Sequence, residues 1–506
     1  MRSGSVFRTK SVEQSIADTE EPEHQLKKAL GPVDLIVFGV GVVIGTGIFV
    51  LTGEAAGLEA GPAVALSFVF AAIVCGLAAL CYAEFASTVP VAGSAYTFSY
   101  ASLGELLAWI IGWDLILEMA LGAATVAVGW SGYLQELLET IGWHLPSSIA
   151  GEEATVNVTA AAIVLILTGV ICLGIKVSSR VNAVAVLIKL GVVLLVIVAG
   201  FFYVKASNYD PFIPPSGSPS AKPDEAPSLS LLQELGFAPG AFGVGGIFAA
   251  AATVFFAFIG FDIVATAAEE TKKPQRDMPI GIFGSLAICT ALYVLVSVVI
   301  TGMVKYNEIE ASAPLAAAFR SVGQDAIATL ISVGALAGLT TVMMILMLGQ
   351  SRVFFAMSRD RLLPAPFAKV SPRTGTPVVT TVVTGIVVAT IAALVPLTEL
   401  AKLVNIGTLF AFVLVAIGVV VLRRTRPDLK RSFRTPLVPF VPIVSVLASV
   451  YLMLNLPVDT WLRFLAWMAI GVVLYFVYGR KRSTLAEGYE RPEGMRPAVS
   501  SPSDSG

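Results

Sequence analysis

Long apolar segments recur along nearly the whole chain of 506 residues, and they constrain the fold more than any other feature. Each segment has roughly 20 residues, the length that an α-helix needs to cross the hydrocarbon core of a bilayer. We therefore predict an all-α polytopic membrane protein with twelve transmembrane helices, near residues 33–57, 62–87, 105–133, 156–175, 181–204, 242–270, 279–303, 326–355, 376–396, 400–422, 436–456 and 460–479.

The composition agrees with a membrane protein and excludes several other classes. Hydrophobic residues make up 56% of the chain and charged residues 13%, whereas soluble domains have about 25% charged residues. A net charge of −2 offers no basic surface to a nucleic acid. The cysteines and histidines form no metal motif, and no phosphate-binding loop or nucleophile–base motif occurs. We expect no enzyme activity, no cofactor, no metal and no nucleic-acid partner, and no protein partner is evident.

The distribution of basic residues predicts the orientation of the chain. If both termini lie on one side, 26 of the 33 Lys and Arg residues fall on that side, six fall on the other, and Lys189 lies within a span. Basic loops stay in the cytoplasm, so we place both termini there and the protein in the cell membrane, among its lipids. The polar segments 1–25 and 483–506 are expected to be disordered tails of a membrane domain at 26–482, and the polar N-terminus does not have the pattern of a cleaved signal peptide.

Two spans contain glycines at a depth where a regular helix would be expected. The Gly-Thr-Gly cluster at 45–47 in span 1 lies about 20 Å after Pro32, and Gly260 in span 6 lies about 18 Å before Lys272. Glycines in membrane helices often serve close helix packing, but a cluster weakens a helix at one point. Because spans 1 and 6 are five apart, we predict two inverted repeats, near 33–204 and 242–422, which are followed by spans 11 and 12 near 436–479.

Backbone groups at such breaks need partners, because the bilayer core contains no water to satisfy them. The N-terminal end of a half-helix offers N–H groups to an anion, and a C-terminal end offers carbonyls to a cation. A zwitterion that carries a carboxylate and an ammonium on one carbon would satisfy both ends. The sequence therefore predicts a substrate site at the two breaks.

Ionisable residues inside spans are a second indication of function. Glu118 lies about 18 Å into span 3, and Asp114 lies one turn earlier on the same face. Glu118 is either a binding residue or a structural carboxylate that is hydrogen-bonded to a neighbouring helix. Lys189 lies about 13–14 Å from the nearer end of span 5, too deep for its ammonium to reach water easily. A structural salt bridge, for instance with Glu118, is one explanation.

The chain also resembles a known family, the amino acid–polyamine–organocation permeases, and within it most of all the cationic amino acid transporter group. The likeness extends over about residues 25–480 and rests on the motifs IGTGIF (44–49), GSAYTF (93–98), GWDLILE (112–118), FFAFIGFD (255–262), EETKKPQRDMPIGI (269–282) and GQSRVFFAMSRD (349–360). The resemblance implies a LeuT-like fold, with helices 1–5 and 6–10 as inverted repeats and helices 11 and 12 at the periphery.

The resemblance also implies roles for individual residues. The substrate carboxylate would be bound by the backbone N–H groups of Gly45, Thr46 and Gly47. The α-amino group would be received by carbonyls near three further residues, Val43, Ala257 and Ile259. Phe256 would close over the substrate side chain as a gate, and Glu118 would lie close enough to favour a cationic side chain.

For Lys189 the resemblance implies proton coupling. In proton-coupled members a lysine on helix 5 occupies the place of the sodium ion of sodium-coupled relatives. Its ammonium would bond carbonyls at the helix 1 break and on helix 8, and proton exchange would change the packing of helix 5 on helix 1.

The resulting prediction is a secondary active transporter that moves cationic or neutral L-amino acids, with protons as the coupled ion. A polyamine or amino acid exchanger is an alternative of the same class, although a substrate without a carboxylate would leave the amides of helix 1 unused. An amino-acid-sensing receptor is an alternative of another class. The absence of any recognisable signalling domain in the sequence speaks against that receptor.

Overall fold

The computed structural model describes residues 8–9, 28–89, 94–151, 154–174, 179–221, 229–237, 241–310, 312–369, 371, 374 and 376–485. The principal helices, numbered here in chain order, are α1 (Pro32–Val43), α2 (Val64–Thr88), α3 (Glu105–Thr140), α4 (Val158–Cys172), α5 (Ser179–Phe201), α6 (Gly243–Val254), α7 (Pro274–Met303), α8 (Asp325–Arg359), α9 (Val378–Leu394), α10 (Leu397–Thr425), α11 (Phe440–Leu454) and α12 (Val458–Leu474). A further helical segment, 47–60, follows α1, and short helices Ser94–Ser102 and Pro314–Ser321 precede α3 and α8.

Eight helices in the described part of the chain are long and apolar enough to cross a membrane, by length and composition. They are Gly47–Thr88, Glu105–Thr140, Ala183–Phe201, Gly243–Ala265, Pro274–Met303, Asp325–Arg359, Leu397–Thr425 and Val458–Arg482. Four shorter apolar helices, α1, α4, α9 and α11, have 12, 15, 17 and 15 residues. Each predicted span thus contains a helix, and the number of helices that cross the bilayer stays a prediction.

The predicted limits are wrong at two helices. α3 continues to Thr140, seven residues beyond the predicted end, and α7 begins at Pro274, five residues before the predicted start. The extra turns contain charged and polar residues that interrupt the apolar runs, but backbone hydrogen bonding continues through them. Proline at the first position of α7 has the φ angle that a helix start requires.

α3 and α7 make the most extensive helix packing in the described part of the bundle. α3 packs along α8 and α10, while α7 packs against α1 and α2. Large apolar side chains stay exposed on the outward faces of several helices, for example Ile166, Leu187, Ile386, Leu447 and Val473. An extended apolar surface of this kind is what contact with lipid requires.

One end of the bundle holds both ends of the described chain. Arg8 donates hydrogen bonds to the Glu105 carboxylate (2.7 Å) and to the Leu485 carbonyl (2.8 Å). The hydroxyls of Tyr475 and Ser483 donate to the same carboxylate. The described N-terminal and C-terminal residues therefore lie together, at the first turn of α3. Most of the predicted tails 1–25 and 483–506 lies outside the described residues.

Candidate functional site

Both predicted helix interruptions are present in the structure. α1 ends at Val43, and Ile44 takes an extended conformation (φ −74°, ψ 97°) before the helix resumes. After α6, a 3₁₀ turn spans Phe255–Phe258, Ile259 is extended (ψ 133°) and Gly260 has φ +118°, a value that favours glycine. The glycines at 45 and 260 therefore mark real breaks in the two helices.

The two breaks are in direct contact. A Cβ atom added at Gly47 would lie 2.2 Å from the Cα atom of Ala257, and one added at Gly260 would lie 2.7 Å from a methyl group of Val42. Such distances leave no space for any side chain at either glycine. At Gly47 the backbone of the second half of helix 1 therefore packs directly on the backbone of the 3₁₀ turn, and Gly260 packs on the Val42 side chain.

A tyrosine on α7 joins the two breaks. The Tyr293 hydroxyl lies 2.7 Å from the Val43 carbonyl and 2.9 Å from the Ala257 carbonyl, and the side chain is fully buried. A phenol has one proton, so it donates to one carbonyl at a time and leaves acceptor capacity on both. The two carbonyls predicted to receive an amino group thus converge on one point. The sequence analysis missed Tyr293, although a lone tyrosine in an apolar helix usually has a partner for its hydroxyl.

An asparagine on α10 holds the end of α6. The amide group of Asn405 donates to the carbonyls of Ala252 (2.7 Å) and Thr253 (3.1 Å), and Asn405 is fully buried. The sequence analysis also missed this residue. A polar amide in the apolar α10 run was the signal that could have revealed it.

Lys189 lies beside the first break. Its ammonium donates a 2.6 Å hydrogen bond to the carbonyl of Gly41, near the end of α1, and the residue is 1% exposed. Its aliphatic stem packs on α8, where a Cβ added at Gly338 would lie 2.9 Å from Lys189 Cγ. Within the described part of the chain Lys189 forms no ion pair, so the salt bridge with Glu118 is not formed. The lysine bonds the helix 1 backbone instead.

Glu118 and Asp114 lie on α3, buried and without ion-pair partners among the described residues. They are 2% and 0% exposed, and none of their four carboxylate oxygens has a hydrogen-bond partner in that part of the chain. The Thr408 hydroxyl faces Glu118 but donates to the Val404 carbonyl of its own helix (3.1 Å). Gly407 packs against Asp114, with 2.6 Å between an added Cβ and Asp114 Oδ1. Glu118 therefore faces α10 at Thr408, and its role, as a binding residue or as a structural carboxylate, stays a prediction.

The remaining predicted residues surround the first break and the 3₁₀ turn. Thr46 is fully buried, and its hydroxyl has no partner in the described part of the chain. Gly129 of α3 faces the Thr46 methyl group, and Val342 of α8 faces Gly45. Phe256 is also buried, at 7% exposure. The structure thus brings together the predicted residues of the two breaks and places Lys189 at the α1 side of this group.

Two cavities open near the end of α3 that is remote from Glu105. The first, about 350 Å³, is lined by four carboxylates, Glu54, Glu136, Glu139 and Glu310, among other residues. The second, about 530 Å³, is lined by Glu59, Thr253 and Lys402 among others. Glu54 and Leu58 line both cavities, which therefore flank the end of segment 47–60. No group of three or more His, Cys, Asp or Glu side chains within the described residues could hold a metal ion.

Two interrupted apolar helices that meet inside a helical bundle are typical of membrane transporters for small solutes. The match to known sequences agrees with that class. The model of the amino acid permease family matches residues 30–477, so the chain belongs to this family.

Individual relatives also match most of this chain. The chain is 49% identical over 490 residues to the branched-chain amino acid permease BcaP of Bacillus subtilis, with 95% of this chain and 99% of the relative covered. It is 46% identical over 486 residues to the methylthioribose transporter of the same species, with the same two coverages. The vacuolar cationic amino acid transporter 2 of Arabidopsis thaliana is 41% identical over 429 residues, which cover 84% of this chain and 64% of the relative. The protein is an amino acid permease, and its relatives are transporters rather than enzymes.

Proposed function

We propose that this permease is a proton-coupled transporter of L-amino acids that works by alternating access around the two helix breaks. The observation that carries the proposal is the convergence of the Val43 and Ala257 carbonyls on the Tyr293 hydroxyl. Carbonyls from two broken helices that meet at one point form a receptor for an ammonium group.

The proposed architecture is LeuT-like, with twelve transmembrane helices in two inverted repeats of five and α11 and α12 at the periphery. Its support is the pair of breaks, one after α1 and one after α6, five helices apart. In this arrangement α1 and segment 47–60 together form one interrupted span. The contact of Arg8 with Leu485 supports termini on the same side, which the basic residues place in the cytoplasm.

The amino acid would lie between the two breaks. Its carboxylate would bind the N–H groups of Gly45, Thr46 and Gly47, which begin the second half of helix 1. Its ammonium would be received by the carbonyls of Val43, Ala257 and Ile259. Phe256 would cover the side chain of the substrate.

Two classes of substrate side chain are supported by different observations. The two buried carboxylates, Asp114 and Glu118, lack a partner in the described part of the chain, which favours a cationic side chain. The likeness to a branched-chain amino acid permease favours a neutral, branched side chain. A polyamine exchanger and an amino-acid-sensing receptor remain the alternatives to transport of amino acids.

Lys189 would couple transport to protons. Its hydrogen bond to the Gly41 carbonyl links α5 to the helix 1 break. The charged ammonium donates a stronger hydrogen bond to this carbonyl than a neutral amine would. Loss of that proton would weaken the attachment and allow α1 to move relative to α5.

Counterflow in proteoliposomes tests the function. The purified protein is reconstituted into vesicles loaded with unlabelled L-leucine, L-arginine, putrescine or methylthioribose, and uptake of the same labelled compound is measured. We expect accumulation of L-leucine or L-arginine, and faster uptake when the outside is acidic. Accumulation of putrescine alone would support the exchanger, and binding without any accumulation would support the receptor.

A further inference from the structure

The end of α6 receives a hydrogen-bond donor from outside its own helix. At Val254 the α-helical pattern changes to the 3₁₀ turn Phe255–Phe258, and the chain becomes extended at Ile259. Such a change disturbs the pairing of the last carbonyls of the helix. The Asn405 amide group donates there to two successive carbonyls, those of Ala252 and Thr253, and the Thr253 carbonyl also accepts from the N–H of Phe255.

These two bonds also determine the orientation of the Asn405 side chain. The amide nitrogen must face the two carbonyl oxygens, since the amide oxygen has no proton to donate. The oxygen Oδ1 is therefore directed elsewhere, and it has no hydrogen-bond partner in the described part of the chain. A buried acceptor without a donor is unfavourable, so a donor from a bound molecule would stabilise it.

The position of Asn405 on α10 connects the second break with the buried carboxylates. Asn405 holds the end of α6, Gly407 packs against Asp114, and Thr408 faces Glu118. One turn of α10 thus contacts both the helix 6 break and the two carboxylates of α3. A residue at this junction can act on the solute itself as well as on the fold.

We propose that Asn405 is a positioning residue for the transported solute. Its amide group fixes the end of α6, so that the next carbonyls face the site, and its Oδ1 is left as an acceptor for a donor group of that solute. The inference rests on the proposed function, because it assumes that an amino acid binds at the breaks.

The test compares two asparagines that make the same type of bond. Asn405→Leu removes the donor and the free acceptor at the break. Asn455→Leu is the matched control, because the Asn455 amide also donates to a backbone carbonyl, that of Tyr451 in α11 (2.8 Å), but Asn455 is only partly buried. Uptake of L-leucine and L-arginine into proteoliposomes gives KM and Vmax for each variant, and tryptic resistance gives the amount of folded protein.

We expect Asn405→Leu to raise KM about tenfold while Vmax per folded protein changes less than about threefold, the scale of one or two lost hydrogen bonds. Asn455→Leu should leave KM unchanged. A KM within twofold of the unmodified protein in Asn405→Leu, whatever happens to the yield of folded protein, would overturn the proposal, as would an equal rise in Asn455→Leu.

A second variant covers the case in which Asn405→Leu does not fold. Asn405→Ser keeps one donor but removes the amide oxygen, and we expect it to raise KM by about threefold or more. An unchanged KM in this variant would also overturn the proposal. Failure of the proposed function would look different, since the unmodified protein would then accumulate neither L-leucine nor L-arginine.

Discussion

At the scale of single residues, the site depends on what each position lacks as much as on what it has. Gly47 lacks a side chain, and the space it leaves is filled by the backbone of Ala257. Lys189 lacks a carboxylate partner among the described residues and bonds a backbone carbonyl instead. Glu118 lacks any hydrogen-bond partner in the same part of the chain. Each of these features leads to a different test.

Gly47→Leu should abolish substrate binding. A leucine here would collide with Ala257 and drive the two breaks apart, so the amides and carbonyls could no longer face one solute. Binding of labelled L-leucine and L-arginine to the purified variant is measured beside Gly191→Leu, a glycine of α5 whose added Cβ would meet no atom within 4 Å. Normal binding by Gly47→Leu would contradict a site at helix 1.

Lys189→Met should fold, bind substrate and lose acceleration by an acidic exterior. Because the bond to Gly41 is to a neutral carbonyl, its loss should lower the free energy of unfolding by about 1–3 kcal/mol, less than the roughly 3–5 kcal/mol expected for breaking a buried salt bridge. Thermal unfolding is measured first, then uptake at fixed inside pH with an acidic or matched outside. A stable variant whose uptake still rises with the proton gradient would refute the coupling role.

Glu118→Gln should reduce uptake of L-arginine more than uptake of L-leucine. The amide keeps the size of the side chain but removes the negative charge that a cationic side chain would meet, a change of about tenfold or more for a buried ion pair. The ratio of kcat/KM for the two amino acids is the measured quantity. Equal losses for both would assign Glu118 to stability rather than to selectivity.

At the scale of helices, α7 and α10 hold the interrupted helices in place. α7 contributes the Tyr293 hydroxyl, which bonds a carbonyl of each break, and α10 contributes the Asn405 amide. Irregular backbone is tolerated at this depth because neighbouring helices satisfy its polar groups. The breaks are therefore a property of four helices together rather than of α1 and α6 alone.

Tyr293→Phe should raise KM by about threefold to tenfold, since one hydroxyl that links two backbones is lost while the ring remains. Tyr475→Phe is the matched control, because the Tyr475 hydroxyl is equally buried but bonds the Glu105 carboxylate (2.9 Å) at the first turn of α3. Uptake kinetics of both variants are measured side by side. The role of Tyr293 is contradicted if the two variants change KM to the same extent.

At the scale of the whole molecule, the chain ends are tied to the helical bundle. Glu105 is fully buried and accepts hydrogen bonds from Arg8, Tyr100, Tyr475 and Ser483. The N-terminal segment, the start of α3 and the end of the α12 region are thereby joined at one carboxylate. This end of the bundle is remote from the two cavities that flank segment 47–60.

Glu105→Ala should lower the free energy of unfolding by about 3–5 kcal/mol, because it strands a largely buried arginine together with several buried hydroxyls. The control, Glu399→Ala, removes a partly exposed partner of Arg463 and should cost about 0–1 kcal/mol. Apparent melting temperatures in detergent compare the two variants. Equal melting temperatures would mean that Glu105 does not secure the chain ends.

The sequence by itself determined the class of fold and the location of the breaks. Runs of about 20 apolar residues have few stable structures other than membrane helices, and the glycines at 45–47 and 260 weaken a helix through their own backbone freedom. These are local effects, so a single sequence reveals them. The tertiary structure alone decided which polar groups satisfy the breaks. Tyr293 lies 36 residues from Ala257, and Asn405 lies 153 residues from Ala252, whose carbonyls they bond. Lys189 bonds a carbonyl rather than Glu118, because helix packing determines which partner lies within 3 Å.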